Sequence, residues 1–91
     1  MNRFEEKVVL VTGAASGMGR ATCIRLAAEG ASVFGLDVDE SGLAQTKATI
    51  TDSGGLIEVS RCDVSSREQC FEAVDKTVAH FGNLHVLVNV A

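Results

Sequence analysis

The 91-residue chain has no apolar stretch long enough to span a membrane, and its opening segment, Met1 to Lys7, is charged, unlike a signal peptide. A cytoplasmic protein is the default expectation. It also has no cluster of lysine and arginine: eight basic residues face twelve acidic ones, for a net charge of −4. Nothing is available to track a phosphate backbone, so nucleic acid is not an expected partner. No close cysteine pair is present. Cys23, Cys62 and Cys70 lack metal-ligand spacing and each sits in an apolar-rich segment, which points to reduced structural thiols and not to a disulfide, redox or metal role. There are no repeats, no linker, no low-complexity segment and no tyrosine. The apolar share of 46% lies in the globular range and excludes disorder. This length makes one small domain at most, or part of a larger one.

What the chain does have is Thr12-Gly13-Ala14-Ala15-Ser16-Gly17-Met18-Gly19-Arg20. It follows the apolar run Val8 to Val11 and opens into a helix-like segment, Arg20 to Glu29. A strand that turns on glycines into a helix N-terminus is an anion trap: the first N–H groups of the helix lack partners and the helix dipole adds partial positive charge. Glycines there would let a pyrophosphate touch the backbone and allow a positive φ in the turn. Met18 fits between glycines because only its N–H is needed. The spacing is Gly-x3-Gly-x-Gly, not the general Gly-x-Gly-x2-Gly fingerprint. Its context supports the same use, because that fingerprint expects an acid about 20 residues on, after a second strand, to take the ribose hydroxyls. Ala31 to Leu36 reads as that strand and Asp37 stands at its end. A ligand-free glycine turn is the plainer alternative. A nucleotide-triphosphate loop is excluded, since no Gly-Lys-Ser/Thr follows the glycines.

Strand and helix patterns alternate along the rest of the chain. Asp39 would cap a helix over Glu40 to Asp52, stopped by Gly54-Gly55. Leu56 to Cys62 reads as a third strand. Ser65-x2-Glu68 has capping-box form and opens a helix with Phe71, Val74, Val78 and Phe81 on one face, ended by Gly82. Leu84 to Val88 is a fourth strand, apolar throughout except for His85, as a strand buried on both faces would be. Crossovers of this length imply a parallel sheet. Pairing strand one with both two and four gives a Rossmann-type doubly wound α/β fold, its N-terminal half, in strand order 3-2-1-4. The glycine segment, Asp37, Asp63 and Asn89 then meet at the carboxyl ends of four strands, at the switch point where such sheets bind ligands. Asp37 would favour NAD over NADP, because it repels a 2′-phosphate and neither Ser16 nor Val38 offers positive charge.

Three segments resemble the short-chain dehydrogenase/reductase superfamily, in order and across the whole chain. Thr12-Gly13-x3-Gly17-x-Gly19 looks like that family's cofactor motif. Asp63-Val64 matches the aspartate it uses near adenine. Gly82 to Ala91 is similar to its Gly-x-Leu-Asp-x-Leu-Val-Asn-Asn-Ala-Gly segment. Two residues depart from the pattern. His85 replaces the aspartate that usually stabilises the sheet there, and Val90 replaces the second asparagine. The resemblance implies an oxidoreductase that moves hydride between a nicotinamide dinucleotide and a small alcohol or carbonyl substrate. It implies cofactor contacts from Gly13, Ser16, Gly17, Met18, Gly19, Asp37, Asp63, Val64, Asn89 and Ala91, with no catalytic residue and no metal. Family enzymes place a serine and a Tyr-x3-Lys pair beyond this last segment. Lacking tyrosine, residues 1–91 are expected to be a truncated cofactor half, a partial dinucleotide-binding domain without activity of its own. A non-catalytic nucleotide-sensing or regulatory domain, or an interaction module, remains open; a Tyr-x3-Lys pair further along would select the enzyme.

Other polar residues have plainer readings. Thr12 would hold the adjacent loop by a hydrogen bond. Arg20 would be solvated, His80 exposed, and His85 too far from the cofactor mouth to act as a base. As the apolar edge of the sheet, the fourth strand would pair with another copy, making a homo-oligomer, or with a further part of its own chain.

Overall fold

A computed structural model describes residues 4–90. β1 (Val8–Thr12), α1 (Gly17–Ala28), β2 (Ser32–Asp37), α2 (Glu40–Asp52), β3 (Leu56–Arg61), α3 (Arg67–Phe81) and β4 (Val86–Asn89) alternate without interruption. The strands form one parallel sheet in the order β3-β2-β1-β4. This is the predicted N-terminal half of a Rossmann-type fold. The register sets Thr12 beside Leu36 on one side and Asn89 on the other. The chain leaves β1 for β2 in one direction and reaches β4 in the other, which opens the switch point beyond Thr12.

Alternation along the strands divides the core in two. Val9, Val11, Val33 and Ile57 pack against Cys23, Leu43 and Ile50 under α1 and α2. Leu10, Phe34 and Leu36 pack with Cys62 and Ala73 under α3. Burial on both faces explains why β1 and β2 read as nearly continuous apolar runs. No helix among the described residues is long and apolar enough to cross a membrane.

Several boundaries differ from the sequence expectation for identifiable reasons. α1 begins at Gly17, three residues before Arg20, because the Ser16 hydroxyl accepts from the Gly19 N–H at 3.3 Å and caps the glycine segment itself. Ser65 does not cap α3. Its N–H and hydroxyl both donate to Asp63 Oδ1, at 3.0 and 2.7 Å, so the cap passes to Ser66, whose hydroxyl accepts from the Gln69 N–H. The α3 face is turned from its predicted position: Ala73 and Thr77 are buried against the sheet, Val74 and Phe81 flank them, and Phe71 and Val78 are exposed. Small residues let that helix approach closely, and the larger ones lie to the side.

β4 starts at Val86, two residues late, and is not buried on both faces: Leu87 is 61% exposed. His85 lies just before it and does the joining expected of aspartate. Its Nδ1 accepts from the Val8 N–H at 2.9 Å and its own N–H donates to the Val8 carbonyl at 3.0 Å. α2 keeps its predicted limits and its Asp39 cap, and Gly82 ends α3 with φ 82°.

Candidate nucleotide-binding cleft

Beyond the carboxyl ends of the strands lies a cavity of about 500 Å³. Gly13 and Ser16 reach it from the turn after β1, Asp37 from the end of β2, Asp63 and Val64 from the loop after β3, and Asn89 from the end of β4. All four strands thus contribute to one wall. Val38, Cys62 and Val90 also line it, and the sequence reading had not proposed them. Val38 and Cys62 carry no motif that would have marked them, and Val90 stands in the Gly82 to Ala91 segment only as a departure from the family pattern.

The glycines divide by role. Gly13 has φ 70°, and a Cβ there would strike the Val90 carbonyl; a Cβ on Gly19 would strike the Gly13 carbonyl. Both are glycines because the protein packs on itself at those points. A Cβ on Gly17 would meet nothing within 4 Å. Only there does the open space at the helix end match the sequence argument that a side chain would obstruct a bound pyrophosphate. The N–H groups of Gly17 and Met18 have no acceptor within the helix, being in its first turn. The Met18 side chain is 74% exposed, so it leaves that position to its backbone. This cradle, with Asp37 beside it, fits a dinucleotide.

The carboxylate of Asp37 is held in place. Oδ2 accepts from the Ala15 N–H at 3.0 Å and Oδ1 from the Asp39 N–H at 3.1 Å, so one residue joins the glycine turn to the start of α2. Across the cleft, the Thr12 hydroxyl donates to Asn89 Oδ1 at 2.7 Å and accepts from the Val90 N–H at 3.1 Å. Thr12 therefore locks β1 to β4 across the switch point, and not the glycine loop as expected. Asp63 accepts from the hydroxyl and the N–H of Ser65, which hold its carboxyl below the usual aspartate range. Its own N–H donates to Gln69 Oε1 at 2.8 Å, fixing the loop to α3.

Arg20 is not solvated. It is half-buried and its guanidinium binds three oxygens on the glycine turn and α2. A basic residue in a first helical turn gives no sign of this, because two of its three partners lie 22 and 26 residues away. His80 is exposed as expected, with its ring edge-on to Phe34 and Phe81. Burial pushes the Cys23 thiol up to about 12 and raises that of Cys62, to which the neighbouring Cys70 adds. Such thiols stay protonated and inert at neutral pH. Among the described residues, no three His, Cys, Asp or Glu side chains stand together as a metal site. Ala91, also expected at the cofactor, lies outside the described residues.

The profile of the short chain dehydrogenase family matches residues 7–91. A 3beta-hydroxysteroid dehydrogenase of Mediterraneibacter gnavus is 42% identical over 91 residues, covering 100% of this chain and 33% of that protein. Levodione reductase of Leifsonia aquatica is 42% identical, covering 98% of the chain and 34% of that protein. Among solved structures, a hydroxysteroid dehydrogenase from Escherichia coli superposes with a TM-score of 0.93 at 30% identity, over 96% of this chain and 37% of the other. An NAD+-bound xylitol dehydrogenase gives 0.89 at 38% identity, over 93% and 33%. The chain spans about a third of the length of the curated relatives it matches. A parallel sheet whose strand order reverses beside a Ser16-capped helix that opens on glycines, and a family profile covering all but six residues, agree: this chain belongs to the short-chain dehydrogenase family.

Proposed function

We propose that this chain is the NAD-binding portion of an oxidoreductase that moves hydride between nicotinamide and a small alcohol or carbonyl substrate. The observation that carries this reading is the cleft itself: residues at the ends of four strands line one cavity beside a helix N-terminus whose approach is kept open at Gly17. Gly13, Ser16, Gly17, Met18 and Gly19 would hold the pyrophosphate, Asp37 the ribose hydroxyls, Asp63 and Val64 the adenine end, and Asn89 with Ala91 the remaining wall. The bound nicotinamide supplies the hydride acceptor or donor, and these residues bind and orient it. Residues 1–91 in this reading are a partial dinucleotide-binding domain, inactive alone. Three free cysteines accord with a reducing cytosolic setting, and the exposed β4 side with a homo-oligomer.

NAD is the preferred cofactor in this reading. Asp37 already faces the cavity as a fixed carboxylate, and a 2′-phosphate about 4 Å from it would be repelled by roughly 4 kcal/mol at an effective dielectric near 20. The test is titration of the full-length polypeptide with NAD and NADP. Tighter NADP binding, or unchanged discrimination in Asp37→Ala, would overturn the preference. Binding of neither would overturn the cofactor reading as a whole.

A further inference from the structure

We propose that Arg20 and Thr46 are positioning residues that set the glycine turn in its cofactor-binding conformation before any ligand arrives; the inference rests on the cofactor reading above. Four consecutive backbone groups of the turn are each held by a different partner. The Ala14 N–H donates to the Leu36 carbonyl at 2.9 Å and the Ala15 N–H to Asp37 Oδ2 at 3.0 Å. The Ala14 carbonyl accepts from the Thr46 hydroxyl at 2.9 Å, and the Ala15 carbonyl from Arg20 Nη2 at 3.3 Å. Two of these partners come from β2, one from α2 and one from α1.

Arg20 and Thr46 also hold each other. Arg20 Nε donates to Thr46 Oγ1 at 2.9 Å, and Nη2 reaches the Gly42 carbonyl at 3.1 Å. Thr46 is fully buried, so no water stands in for its hydroxyl. α2 meets the glycine turn tightly at this point: a Cβ on Gly42 would lie 2.7 Å from the Ala15 Cβ. The planar fork of arginine reaches three oxygens at once, which a lysine ammonium on a flexible stem does not match. The clamp therefore fixes how far Ala15, and through it Asp37, stands from the open helix end at Gly17. A turn fixed beforehand loses little freedom on binding, and that saving appears as affinity.

Calorimetric titration with NAD, on the full-length polypeptide and at a temperature where each variant is folded, tests this. Thr46→Val keeps the shape and removes the hydroxyl; Arg20→Gln keeps most of the stem and removes the fork. Each is expected to raise the Kd for NAD roughly ten- to a hundredfold, the size of a lost hydrogen bond involving a charged group. Thr46→Ser should stay within about twofold of the parent and Arg20→Lys should fall between. A merely structural role would lower the unfolding temperature of the ligand-free variants while leaving Kd within about twofold, and that result would overturn the proposal. If Arg20→Gln and Thr46→Val do not fold, Arg20→Lys decides by the same threshold. A parent that binds neither NAD nor NADP refutes the cofactor reading instead, so the two failures are distinguishable.

Discussion

β2 and β4 flank the same central strand and are both apolar, yet one is sealed and the other open. Val33, Phe34 and Leu36 of β2 are at most 3% exposed, covered by α1 and α2 on one face and α3 on the other. Val86 and Leu87 of β4 are 37% and 61% exposed. The candidate cleft is built mainly against the sealed side, where the glycine turn is held by β2 and α2. Rigidity is concentrated where the turn must be shaped. Of the two strands flanking β1, only β4 leaves large apolar side chains open.

The largest effects should separate the two sides in the 91-residue chain. Ile50→Ala on the sealed side should cost about 2–5 kcal/mol, as a buried branched side chain does on truncation. Leu87→Ala on the open side should stay within about 0.5 kcal/mol at concentrations low enough for the chain to be monomeric. Denaturant unfolding measures both, and a Leu87 cost near that of Ile50 would show that β4 is covered in solution. Sedimentation sharpens the same contrast. Exposed apolar edge strands invite pairing with another chain, so the 91-residue chain should associate, and Leu87→Lys should disperse it. A soluble monomer with a cooperative melt would break that expectation.

The smallest effect concerns Asp63. Its carboxyl is held below the usual aspartate range by the Ser65 hydroxyl and N–H. A depressed native pKa means that the ionised form stabilises the fold above the ordinary aspartate range, and that this contribution disappears as pH falls through the depressed value. Ser65→Ala should therefore destabilise slightly at about pH 7 and match the parent at about pH 2. Urea unfolding at both values checks this, and an equal deficit at both would show that Ser65 acts through something other than the Asp63 charge.

Local signals carried much of this architecture. The apolar runs of β1 and β2, the Asp39 cap of α2 and the Gly82 stop of α3 each depend on residues within one element, and each was legible as such. So was the convergence of Gly13, Asp37, Asp63 and Asn89, because parallel connections of this length leave few strand orders. The choice of Ser66 over Ser65 as cap was not, since it turns on Ser65 being taken by Asp63 two residues earlier. The rotation of α3 also escaped a periodicity argument, which finds an apolar stripe but not which neighbour lies beneath it.

Sequence alone thus determined the parallel fold, the glycine turn into α1 and the acid that follows it, because glycine spacing and apolar patterning act over a few residues. Tertiary structure decided which glycine is left open and which serve packing: Gly17 faces free space, while Gly13 and Gly19 press against backbone that only folding brings near. It likewise turned His85 into a partner of Val8 and Arg20 into a partner of Thr46, across 77 and 26 residues. Hydrogen bonds of such span have no local signature, since neither partner's identity constrains its own neighbours in the chain.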